Sequence, residues 1–110
     1  MERNSEDTVK RLSKCLEPWG NAIECKRMFG GSCFLYHGKM VIGETKGRLV
    51  VRVVSEKIKD VLERPFVSPM DFTGRVMKEF IFVSPDGYST EEALQSWVEL
   101  GIEHAKKSVR

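Results

Sequence analysis

At 110 residues, with 41% hydrophobic and 31% charged side chains, the chain has the size of one globular domain and is too apolar to be disordered. Eighteen Lys and Arg against sixteen Asp and Glu leave a net charge of +2, which is not the dense basic face of a dedicated nucleic-acid binder. No run of about 18 apolar residues occurs, and Met1 to Asp7 lacks the basic start and apolar stretch of a signal peptide, so the sequence offers no spanning helix and a cytoplasmic location is expected.

The first element reads as a helix. Val9, Leu12, Leu16 and Trp19 recur at spacings of three and four, which gathers them on one stripe. Asn4 or Ser5 can cap it, Glu6 and Asp7 suit its positive end, and Lys10, Arg11 and Lys14 fall on the outer face. Pro18 and Gly20 mark the exit. Strand-like sequence follows. Ala22 to Phe29 alternates imperfectly until Gly30-Gly31 interrupts it. Ser32 to Tyr36 and Met40 to Glu44 are short apolar runs on either side of a His37-Gly38 turn. Lys46-Gly47 makes a second turn before Arg48 to Val54, where Leu49, Val51 and Val53 share one face in the strongest strand signal of the chain.

Ser55 can cap a short helix through Arg64 that Pro65 ends, with Ile58, Val61 and Leu62 on its buried side. Phe66 to Gly74 holds a proline and a glycine and reads as irregular chain. Val76 to Val83 has apolar residues on both faces, the pattern of an interior strand. After the Pro85-Asp86-Gly87 turn, Ser89 and Glu92 have the spacing of a capping box. The final helix then carries Leu94, Trp97, Val98, Gly101, Ile102 and Ala105 on one stripe, with Lys106, Lys107 and Arg110 at its negative end. Short loops favour a strand meander, and the order of elements predicts an α+β fold: a two-layer sandwich of an antiparallel sheet with helices mainly on one face. One domain over residues 1–110 is expected.

Candidate sites are few. Gly30-Gly31 could cradle a phosphate, yet no G-K-S/T follows and no helix begins there, which leaves a strand break as the reading of choice. His37 and His104 stand far apart, one in a turn and one late in a helix taken as exposed, and do not make a metal site. Cys33 and His37 lie roughly 13 Å apart along a strand, too far for a nucleophile and its base. Cys15, Cys25 and Cys33 read as free buried thiols of a reducing compartment. Lys10, Arg11, Lys14, Lys26, Arg27, Arg48 and Arg52 would form a basic patch only if the first helix and the strands present them together, and interleaved acids favour a mixed surface. Phe66, Met70, Phe72 and Tyr88 either close the core or form a partner patch.

Several of these segments are similar to one family. Lys26-Arg27-Met28-Phe29-Gly30-Gly31, then Gly38-Lys39-Met40, then Arg48 to Val53 resemble the opening of the TfoX N-terminal domain. Phe72-Thr73-Gly74-Arg75-Val76-Met77-Lys78 and Trp97-Val98-Glu99-Leu100-Gly101 resemble its later segments. Two positions differ from the family pattern: Val76 replaces a usual proline and Glu79 a frequent glycine. The resemblance implies a two-layer sandwich with an antiparallel sheet. It also implies regulatory work of the kind TfoX or Sxy proteins perform on competence genes, thought to involve the cyclic-AMP receptor protein. No catalytic residue comes with it.

The expected function is a non-enzymatic regulatory or adaptor domain with a protein partner and no cofactor or metal. Phe29, Gly30, Gly31, Lys39, Arg75 and Lys78 are the candidate contact residues, and a homodimer through a sheet edge is a further option. Two other readings stay open. One is a small ligand-binding domain or enzyme using Gly30-Gly31 and Cys33. The other is weak nucleic-acid contact through the basic residues.

Overall fold

The structure, a computed structural model, describes the backbone of residues 5–28, 31–72 and 75–108 and the side chains of 8–27, 31–69 and 79–107. Helix α1 (Ser5–Cys15) leads through a 3-10 stretch (Glu17–Ala22) into β1 (Ile23–Met28), β2 (Gly31–Tyr36), β3 (Lys39–Thr45) and β4 (Arg48–Arg52). Helix α2 (Ser55–Leu62), β5 (Val67–Phe72), β6 (Arg75–Val83), a 3-10 turn (Pro85–Tyr88) and α3 (Glu91–Ser108) complete the chain. The strands form one six-stranded sheet in the order β1-β2-β3-β4-β6-β5, and every neighbouring pair is antiparallel. The fold is therefore α+β, as the order of sequence signals implies.

Local chemistry sets the hairpins. His37 and Gly38 have φ of 48° and 82°, and Lys46 and Gly47 have 52° and 83°. Positive φ at both central residues is the mirror-image turn whose twist matches that of paired strands. The two hairpins β2–β3 and β3–β4 therefore form at the turns read from the sequence.

Four expectations need correction. Helix α2 is entered from Val54, which is extended and makes no side-chain cap, so Ser55 lies inside the helix and does not cap it. The stretch 66–74, which reads as irregular because of Pro69 and Gly74, contains β5. Pro69 is accommodated because β5 is an edge strand, where a missing N–H breaks no inner ladder. The last helix is capped by Thr90, whose Oγ1 accepts from the Ala93 N–H at 3.1 Å. Ser89 has helical dihedrals (φ −70°, ψ −25°) and so does not take the extended conformation of a cap residue. Trp19 continues the apolar stripe of α1 from the 3-10 stretch rather than from the helix itself. Asn4, Thr73, Gly74 and Arg110 lie outside the described residues.

The two faces of the sheet differ. Leu49, Val51, Val53, Ile81 and Val83 pack with Leu12 and Leu16, with Val61 of α2, and with Leu94, Trp97, Val98 and Ile102 of α3 in one core. The alternate positions Cys33, Leu35, Met40, Val50 and Phe82 form a second cluster with Phe80, to which no described helix contributes. The three helices thus share one face. Arg11, expected on the outer side of α1, is drawn in instead. It donates to the Glu91 carboxylate at 3.1 Å and to the Tyr88 carbonyl at 2.9 Å, tying α1 to the start of α3. Tyr88 is fully buried and donates its hydroxyl to the Gly47 carbonyl at 2.7 Å, so it closes the core, whereas Phe66 is 52% exposed.

Candidate functional site

The residues singled out in the sequence fall at opposite ends of the sheet. Gly31 opens β2 across from Met28, while Lys39 opens β3 across from Tyr36. About 16 Å of strand separates these ends, so the two do not share a site. Arg75 pairs with Phe72 at the tip of the β5–β6 hairpin, beyond the Lys39 end. Phe29 and Gly30 lie outside the described residues, as do the side chains of Met70, Phe72, Arg75 and Lys78.

Gly31 has a packing role. A Cβ at this position would overlap the Glu44 carbonyl oxygen of β3, so the close β2–β3 approach requires a residue without one. Cys33 is 1% exposed, and burial pushes its thiol up to about 11, with Cys25 nearby adding to the effect. A thiol that is protonated at neutral pH is a poor nucleophile. Cys25 corrects another expectation: it is exposed, because β1 is an edge strand with only β2 beside it. Among the described residues, no group of three His, Cys, Asp or Glu side chains is placed to hold a metal ion.

The structure also brings together three groups that the sequence reading kept apart. The register of β5 on β6 jumps from Pro69↔Ile81 to Met70↔Met77, which leaves residues 78–80 of β6 without a β5 partner. In this bulge the Glu79 carbonyl accepts from the Val53 N–H at 2.8 Å, and the Glu79 carboxylate meets two cationic or polar groups. Its Oε1 lies 3.1 Å from His104 Nε2 of α3 and 3.5 Å from Arg52 Nη2 of β4. A carboxylate only accepts, so Nε2 carries the proton in this contact. His104 is 5% exposed, not on an exposed helix face. Its spacing was legible: it stands three residues after Gly101 and seven after Trp97, on the apolar stripe.

The hydrogen bond from His104 is the main reason Glu79 titrates below its ordinary range; Arg52 adds to the effect, while partial burial opposes it. A carboxylate whose folded value is depressed stabilises the fold at pH above its unfolded value and loses that contribution as pH falls through the folded one. The expected result is an acid-side loss of stability beginning below about pH 4.5, the ordinary value of the group. Denaturant midpoints measured from pH 6 to pH 3 should fall less steeply in Glu79→Gln than in the unmodified chain.

On the helix-free face, Arg48, Val50 and Arg52 alternate along β4 with the residues that point at the helices. The Arg48 guanidinium lies 3.8 Å from the centre of the Phe82 ring, and that of Arg52 lies 5.2 Å from the Phe80 ring. Arg52 also meets Glu79, but among the described residues no carboxylate pairs with Arg48. Lys26 pairs with Cys33 in register and so extends this face onto β1. Lys10 and Lys14 belong to α1, across the sheet. The basic residues therefore do not form one patch, because the sheet divides them.

The order of strands, turns and tryptophan helix invites comparison with known families. The model of the TfoX N-terminal domain matches residues 14–105. The chain belongs to this family. The matched stretch begins at the end of α1, runs through all six strands and ends within α3. No curated protein matches the chain. In this TfoX N-terminal domain the bulge residue Glu79 stands where the resemblance leads one to expect glycine, and its side chain is the link between β6, β4 and α3.

Proposed function

We propose that this TfoX N-terminal domain is a non-enzymatic regulatory or adaptor module that works by contacting an acidic protein partner through the helix-free face of its sheet. Membership of the family supports a regulatory, competence-related role. The observation that carries the protein-contact reading is Arg48 over Phe82. A guanidinium held over an aromatic ring is partly desolvated and ordered in advance, while its N–H groups can still reach a carboxylate. Arg52 over Phe80 repeats the arrangement four residues along the strand. Division of the basic residues between two faces favours a protein with a small acidic surface over a long polyanion such as DNA.

The test uses the domain as bait in an extract of its native host, with Arg48→Glu and Lys10→Glu as paired variants. The expected outcome is a protein retained by the unmodified domain and by Lys10→Glu, but lost from Arg48→Glu and released by salt. Equal retention by both variants, or retention of nucleic acid alone, would contradict the reading.

A further inference from the structure

We infer that two copies of this chain pair through their β1 strands, antiparallel and centred on Cys25, joining their sheets into one. This stands independently of the partner proposed above, because it uses the edge of the sheet and not its face.

β1 and β5 are the two edges of the sheet. β5 carries Pro69, which removes a donor from its edge. β1, with the sequence Ile-Glu-Cys-Lys-Arg-Met, has no proline. Glu24, Cys25, Lys26 and Arg27 are all exposed. The direction of the free backbone groups follows from one hydrogen bond. The His37 N–H donates to the Ala22 carbonyl at 3.0 Å, in the same register as Ile23↔Tyr36. Bonded pairs alternate along an antiparallel ladder, so Glu24 and Lys26 also turn their backbone groups toward β2. Ile23, Cys25 and Arg27 therefore point N–H and C=O outward, ready to pair with another strand.

Charge selects both the occupant and the register. A two-fold axis normal to the sheet sets one residue of β1 opposite itself in the second copy. Centred on Glu24, Lys26 or Arg27, it would oppose like charges. Centred on Cys25, it sets Glu24 against Lys26 of the other copy, twice. Both of these residues lie on the helix-free face, since their partners Leu35 and Cys33 belong to the second cluster. Ile23 then lies opposite Arg27 of the other copy, where the arginine stem can cover it. Cys25 faces its own copy with Cα atoms about 5.5 Å apart, within the reach of a disulfide.

The experiment combines mild oxidation with charge exchange. In the unmodified chain, oxidation should trap a dimer through Cys25, since Cys15 and Cys33 are buried, and Cys25→Ser should not be trapped. In the Cys25→Ser background, sedimentation should give a concentration-dependent dimer. Glu24→Lys and Lys26→Glu, each alone, should weaken it by roughly tenfold, because each makes both cross-strand pairs repulsive. Mixing the two variants makes every pair opposite in sign and should restore the dimer. An unmodified chain that stays monomeric and untrapped overturns the inference, as does a dimer indifferent to both variants or a mixture no more associated than its components.

Discussion

Trp97→Ala should lower stability by about 3–5 kcal/mol, the usual cost of emptying a large buried aromatic site. Trp97 is 4% exposed and belongs to the helix-side core. Its position is fixed at three points. The ring packs among the residues of α3 and the sheet, the indole N–H donates to the Gly87 carbonyl at 2.9 Å, and the Arg64 guanidinium sits 5.4 Å from the ring centre. Removing the side chain leaves a cavity and strips a carbonyl of its donor at once. For a domain of this size, the loss corresponds to about 12–20 °C in melting temperature. Trp97→Phe separates the two contributions, because it keeps most of the volume and loses only the donor, and should cost clearly less. A loss under about 1 kcal/mol in Trp97→Ala, measured by urea unfolding, would show that α3 does not pack on the sheet as described.

The second large effect has a sign opposite to helix propensity. Gly101 lies within α3, where alanine would ordinarily favour the helix by about 1 kcal/mol. A Cβ at Gly101, however, would overlap the Val41 carbonyl oxygen and come within 2.7 Å of Val41 Cγ1 on β3. Neither backbone can yield without moving α3 off the sheet, and overpacking of this kind costs roughly 1–3 kcal/mol or more. Gly101→Ala should therefore destabilise by about 2 kcal/mol net, and a larger side chain there should prevent folding. A thermal melt in which Gly101→Ala gains stability would mean that the helix stands further from β3.

The elements that were legible in the sequence are those whose signals are local. The turns at His37-Gly38 and Lys46-Gly47 and the β-branched run from Leu49 to Val54 place β2, β3 and β4 without help from distant residues. β5 was not legible because Pro69 argues against a strand, and only its place at the sheet edge, a fact of topology, makes that proline acceptable. The cap was misplaced by one residue because Ser89 and Thr90 carry the same chemistry, and only the backbone dihedrals of Ser89 distinguish them. At the candidate site, Arg48 and Arg52 were recognised as basic, but what lies beneath them depends on how β6 pairs with β4. The bulge that presents Glu79 to His104 and Arg52 comes from a register jump between β5 and β6, which no spacing in the sequence records.

The proposed function rests on which face of the sheet meets a partner, and the buried methyl groups beneath each face respond to it. Leu35, Met40 and Val50 mark the helix-free face, while Leu12, Leu94 and Ile102 mark the helix side. In a methyl-labelled domain titrated with its captured partner, the signals of Leu35, Met40 and Val50 should shift while those of Leu12, Leu94 and Ile102 stay in place. Shifts confined to the helix-side methyls would contradict the account.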